Sequence, residues 1–242
     1  MARLDSIAML AELDGLLLVD KPAQIATHDV LKAVKTRFNL VKAGHGGTLE
    51  PNATGLVVLL VGDATRFAGD VMGADREYEA VVRLGRSTDT ADAEGRVVSE
   101  APFDGVTREA VEAVLPEFRG DIFQSPPPFT VIKRPDTPSY GIVPTDPDDA
   151  KARLVHVFRL AVTRFEPPLV AFNVFCTKGV CVRALAKDVG ERLGCGASLE
   201  TLRRTKCGCF SVGDAVGFMD VLKLDPMSFR DRLVPMAGAF AQ

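Results

Sequence analysis

The sequence predicts an α+β fold built on a mixed sheet. Strand-like and helix-like segments alternate along the chain without a strict βαβ rhythm. Two strand-length segments, 154–165 and 169–177, are joined at Glu166-Pro167-Pro168. Hydrophobic residues make up 47% of 242 positions, enough for one large domain, or for a domain with a small appendage.

Each element follows from local pattern. Leu16–Asp20 is a short apolar run, the mark of a buried strand. Thr27 is placed to N-cap a helix reaching Phe38, with Val30, Leu31, Val34 and Phe38 on one face. Lys42–Asn52 is rich in glycine and proline and reads as loop, and Leu56–Val61 reads as a second buried strand. Asp63 is placed to cap a short helix ending near Met72. Tyr78–Leu84 alternates in the manner of a half-buried strand, and Thr107–Phe118 is an amphipathic helix. Pro126-Pro127-Pro128 predicts a stiff extended connection, and Asp136–Ala150, with its prolines and aspartates, an exposed loop. Val182–Leu193 is helical, and Phe218–Leu224 is a last short helix.

Composition narrows the function classes. No apolar run approaches the roughly 18 residues of a membrane helix, and the N-terminus lacks the pattern of a signal or transit peptide. A cytoplasmic protein is expected. Net charge is −3, which by itself speaks mildly against nucleic-acid binding. The distribution is uneven: residues 178–206 hold seven Lys or Arg against three acids, and residues 31–45 hold four and no acid. Such stripes fit an RNA-binding face, and solvated helix faces account for them as readily. The five cysteines are odd in number and form no repeated zinc knuckle, so neither disulfides nor a metal site is expected, only small buried thiols.

The densest chemical signal is Gly44-His45-Gly46-Gly47-Thr48-Leu49-Glu50-Pro51-Asn52-Ala53-Thr54-Gly55. A histidine and a carboxylate sit in a glycine-rich loop directly before a buried strand, where rigid sheets often carry functional groups. A plain turn with a solvated Glu50 fits the same letters. Neither nucleotide-binding glycine motif is present here.

This stretch resembles the G-H-x-G-x-L-D-P-x-A-T-G signature of the bacterial tRNA pseudouridine-55 synthases, the TruB family. The similarity continues collinearly through Leu18–Pro22, Val61–Phe67, Arg76-Glu77-Tyr78, Arg83-Leu84-Gly85, Thr88–Gly95, Phe118–Ile122 with Gln124, Lys178-Gly179 with Arg183, and Leu193–Ala197. It covers about residues 15–213, leaving 214–242 as a short extension of a single catalytic domain. The small C-terminal RNA-binding domain common in the family is not expected.

The resemblance implies the pseudouridine synthase fold, a mixed and mainly antiparallel sheet flanked by helices. It implies a monomer that turns uridine 55 of the transfer RNA T-loop into pseudouridine, with no cofactor and no metal. Glu50 takes the place of the essential carboxylate, Arg183 that of the arginine paired with it, and Tyr78 that of the tyrosine stacking on the extruded uracil. His45 resembles the histidine that enters the T-loop. Lys21 and Pro22 shape the pocket floor, and Gly47, Thr48, Lys178 and Leu202 join the RNA-binding set.

Some positions depart from the family pattern. The family acid is aspartate, and Glu50 carries one more methylene, about 1.5 Å of reach; a misplacement near 1 Å costs on the order of 100-fold. Gln24 stands where a glycine is usual and Cys181 where an aromatic is usual. Asp136 and Val143-Pro144 replace a Gly and an Ala-Arg pair. Two further readings follow: a non-catalytic RNA-binding protein of the same fold, and a carbohydrate-acting enzyme with paired carboxylates.

Overall fold

The computed structural model describes residues 13–125, 129–133, 140–144 and 151–236. In chain order these form β1 (Gly15–Lys21), α1 (Thr27–Arg37), β2 (Ala43–His45), β3 (Thr54–Val61), a 3-10 segment (Gly62–Phe67), α2 (Ala68–Gly73), β4 (Arg76–Leu84), β5 (Arg86–Thr88) and β6 (Val97–Glu100). Next come α3 (Arg108–Val114), a 3-10 segment (Leu115–Phe118), β7 (Gly120–Gln124), β8 (Phe129–Lys133), β9 (Tyr140–Pro144), β10 (Arg153–Glu166) and β11 (Leu169–Cys176). The chain closes with α4 (Val182–Arg192), β12 (Ala197–Cys207), β13 (Phe210–Ser211), β14 (Val216–Gly217), α5 (Phe218–Val221) and α6 (Pro226–Asp231). Two compact units result: Met1–Ala74 with Arg204–Gln242, and Asp75–Arg203.

In the first unit β1 pairs antiparallel with β3 from Gly15↔Val61 to Lys21↔Gly55, and parallel with β14. Leu16–Val19 and Leu56–Val61 are buried on both faces, which is why they read as unbroken apolar runs rather than alternating ones. One face builds a core from Leu16, Leu18, Leu56, Val58, Leu60, Ala64, Val71, Cys207 and Phe210. The stretch after residue 213 joins this unit: Phe218, Val221 and Phe229 are buried, and Phe229 stacks on Phe38 at 3.8 Å. Arg37 donates hydrogen bonds to the carbonyls of Leu222 and Leu224, both at 2.9 Å.

In the second unit the strand order is β12-β4-β11-β10-β7. The β4–β11, β11–β10 and β10–β7 pairs are antiparallel. Tyr78, Ala80, Val82 and Leu84 of β4 are buried, as are Val170, Phe172, Val174 and Cys176 of β11. Successive residues of a strand point to opposite faces, so each set marks one face. Val182, Ala186 and Val189 of α4 surround a small apolar cavity together with Ala80, Phe172 and Val174. The mixed, mainly antiparallel sheet flanked by helices is therefore as expected.

Several local expectations change. Ala26, not Thr27, is the N-cap of α1, and no side chain caps that end. Asp63 caps nothing; it pairs with Lys42 and Arg66 beside a 3-10 segment. Ala43–His45, read as loop, is a strand paired with β3, because the glycine-rich composition hid a short edge. Tyr140–Pro144, also read as loop, pairs antiparallel with Phe129–Lys133. Pro126-Pro127-Pro128, 134–139 and 145–150 lie outside the described residues. Thr107 does cap α3, accepting from the Ala110 amide at 3.2 Å, but the last turn to Phe118 is 3-10. Cys176, Cys195 and Cys207 are buried thiols as expected; Cys181 is half-buried and Cys209 exposed. Burial pushes the Cys176 thiol up to about 12, so it stays protonated and unreactive.

Candidate active site

The first unit carries Lys21, Pro22, His45, Gly47, Thr48 and Glu50. Residues 46–53 leave β2 and return to β3, and their backbone is pinned from outside at successive positions. Thr27 Oγ1 accepts from the Leu49 amide at 2.9 Å and donates to the Leu49 carbonyl at 3.1 Å. Lys21 Nζ donates to the Pro51 carbonyl at 2.9 Å, to Ile25 at 2.8 Å and to Pro22 at 2.9 Å. Arg204 Nε donates to the Leu56 carbonyl at 2.7 Å, and its Nη1 to Thr48 at 3.4 Å. The Glu50 carbonyl accepts from the Ala53 amide at 3.1 Å, closing a turn with Pro51 at its second position, the place proline's fixed φ favours. Leu49 and Ala53 are buried on either side of this turn. The backbone of residue 50 is thus fixed from both directions, while its side chain is half-buried.

Glycine is required twice here. A Cβ on Gly46 would overlap the Val71 side chain. Gly55 has φ +100, and a Cβ there would overlap the Arg204 backbone. His45 is half-buried at the end of β2, and Pro22 and Thr48 are exposed. Lys21 is fully buried. Burial first, and the Arg204 charge second, lower its pKa to about 8.

The second unit carries Tyr78, Lys178, Arg183 and Leu202. Tyr78, 8% exposed, stands opposite Val174 on the β4 face that also bears Ala80 and Val82. Arg183 lies in the first turn of α4 and is 6% exposed. Its Nη1 donates to the Thr90 carbonyl at 2.8 Å and lies 3.8 Å from Asp92 Oδ2. The Thr88–Gly95 motif presents both acceptors and braces them internally. Asp92 Oδ1 accepts from Thr90 Oγ1 at 2.6 Å and from the Glu94 amide at 3.0 Å, and Thr88 Oγ1 donates to the Asp92 carbonyl at 2.7 Å. Lys178 is exposed beside Gly179, and Leu202 is half-buried in β12.

Thr27 and Arg204 are supporting residues that sequence reading missed, and Thr90 and Asp92 stand in a family motif without a role that the letters assign. From the sequence Thr27 reads as a cap, and Arg204 as one charge of a basic stripe. No local pattern announces a side chain that serves a loop far away in sequence. Among the described residues no group of His, Cys, Asp and Glu is arranged to hold a metal.

Comparison with known proteins identifies the family of the chain. The model of the TruB family pseudouridylate synthase N-terminal domain matches residues 35–182, and that of the tRNA pseudouridylate synthase B C-terminal domain matches 183–241. The tRNA pseudouridine synthase B of Dechloromonas aromatica is 41% identical over 93% of this chain and 75% of its own length. That of Opitutus terrae is 39% identical over 94% and 95% respectively. Among solved structures, a chain of the Cbf5-Nop10-Gar1 complex is similar with TM-score 0.74 and 27% identity. The match covers 95% of this chain and 62% of that one. A chain of the H/ACA RNP bound to a substrate RNA containing 2'-deoxyuridine is similar with TM-score 0.71, 26% identity, and coverage of 95% and 61%. With a family model over more than half its length and curated relatives near 40% identity along almost all of it, this chain belongs to the TruB family of pseudouridylate synthases.

Proposed function

We propose that this protein is a tRNA pseudouridine synthase that isomerises uridine 55 in the T-loop, with Glu50 as its essential carboxylate. The observation that carries the reading is the immobilised backbone at residue 50, held by Thr27 and Lys21 through the carbonyls of Leu49 and Pro51. A reaction that depends on the position of one acid needs such fixation.

The isomerisation breaks the bond from ribose C1′ to uracil N1, turns the base, and joins C1′ to C5. The C5 hydrogen leaves as a proton and N1 gains one, so no redox partner is consumed. Glu50 acts on ribose or uracil as nucleophile or base. Arg183 takes the role of the family arginine that orients that carboxylate; its own position is set by Thr90 and Asp92. Tyr78 stacks on the extruded base, a contact worth roughly 1–3 kcal/mol against the few kcal/mol of extrusion. His45 enters the T-loop as the base leaves. By the family resemblance, Lys21 and Pro22 shape the pocket floor, and Gly47, Thr48, Lys178 and Leu202 belong to the RNA-binding set. The protein acts as a monomer in the cytoplasm; among the described residues no helix is long and apolar enough to cross a membrane.

Release of tritium from tRNA labelled at uridine C5 tests the reading directly. One equivalent released per tRNA, with pseudouridine mapped to position 55, is expected. No release at stoichiometric protein would defeat it.

Glu50 in the aspartate position motivates a second reading, a tRNA-binding protein without turnover. Tight tRNA binding with no release, together with release on Glu50→Asp, would select it.

A further inference from the structure

Two cations are buried in the first unit: Lys21 is 0% exposed and Arg204 1%. Both turn their N–H groups to backbone carbonyls. Burying an ion costs several kcal/mol even after relaxation, and apolar replacements of similar volume are often as stable. Stability alone therefore gives no reason for an arginine at position 204.

Its contacts give one. The guanidinium reaches the Leu56 carbonyl through Nε and the Thr48 carbonyl through Nη1. These acceptors lie on the two sides of the segment that bears Glu50. A planar fork with donors in fixed directions sets the spacing between two carbonyls. A lysine ammonium keeps the charge without that geometry. The approach is close because Gly55, at φ +100, leaves room for the Arg204 backbone. Burial lowers the Lys21 pKa and the nearby Arg204 charge lowers it further, so the two clamps act on one small region.

We infer that Arg204 is a positioning residue for the isomerisation, setting the separation of the two stems of the 48–56 loop and so the placement of the Glu50 carboxylate. This rests on the tRNA-modifying reading above. Arg204 is buried and meets no RNA itself, so its loss acts on the chemical step and not on tRNA affinity.

The test compares wild type with Arg204→Lys in single-turnover tritium release at saturating protein, alongside tRNA binding by filter retention and urea unfolding. A folded Arg204→Lys protein with a tRNA Kd within about two-fold of wild type, and a rate on the order of 10- to 100-fold lower, is the expected result. A rate within two-fold of wild type overturns the proposal. So does a loss confined to tRNA affinity. Failure of Arg204→Lys to fold overturns it too, because the residue would then support the unit rather than the loop. If wild type itself releases no tritium, the functional reading falls and takes this one with it; if wild type turns over and the variant matches it, this one falls alone.

Discussion

The ammonium of Lys21 lies 2.9 Å from the carbonyl oxygen of Pro51, thirty positions along the chain and one residue beyond Glu50. The same nitrogen holds Pro22 and Ile25, so one buried cation joins the turn after β1 to the loop before β3.

That arrangement has a pH signature. The Lys21 pKa falls from 10.5 to about 8 on burial. Between those values the unfolded chain binds more protons than the folded one, so the Lys21 contribution to stability rises with pH. It is fully present above about pH 10.5 and lost as pH falls through about 8. The span corresponds to roughly 3 kcal/mol. Urea unfolding at pH 7 to 10.5 should show this rise in wild type relative to Lys21→Met, where it should vanish.

Replacing the carboxylate should remove chemistry and spare the fold. Glu50→Gln is expected to lower the rate of tritium release by about 10⁴-fold or more, with tRNA affinity kept within a few-fold. Stopped release with an unchanged urea midpoint would support the assignment. Near-wild-type release would remove Glu50 from the mechanism.

Arg183→Lys should be far from conservative. The guanidinium gives one N–H to the Thr90 carbonyl and lies beside Asp92, and lysine lacks the rigid fork to orient a second group as well. A rate loss of at least about 100-fold is expected, with the circular dichroism spectrum unchanged.

Gln24 sits at φ +63 and is exposed, in the position where the family resemblance leads one to expect glycine. A left-handed non-glycine residue costs about 1–2 kcal/mol, partly offset by the extra unfolded-state freedom of glycine. Gln24→Gly should therefore stabilise the protein by about 0.5–1 kcal/mol. A lower urea midpoint would refute this account of the position.

Gly55→Ala should be severely destabilising. A Cβ would overlap the backbone of Arg204, and the φ of +100 is strained for alanine. A loss above about 3 kcal/mol is expected. An unfolding midpoint equal to wild type would show that β3 and β12 separate easily.

Much of this molecule could be read one residue at a time. The apolar runs of β1 and β3, the alternation of β4 and the amphipathic α4 are short-range patterns, and short-range patterns survive in the letters. The motifs around Glu50, Tyr78 and Arg183 were visible for the same reason. What the letters misjudged were residues with two plausible uses. Thr27 has the chemistry of a cap, yet its hydroxyl bonds both polar groups of Leu49. Asp63 has it too, and spends its carboxylate on Lys42 and Arg66. Short strands such as Ala43–His45 and Tyr140–Pro144 escaped because strand pairing is decided by the partner, not by the segment.

The sequence by itself determined the fold class and the family, since each depends on identity and spacing along the chain, and it supplied the residues proposed to bear chemistry. Only the tertiary structure decided that Lys21, Thr27 and Arg204 converge on the carbonyls around residue 50. Buried backbone acceptors must be satisfied, and which side chain reaches them depends on packing between segments far apart in sequence.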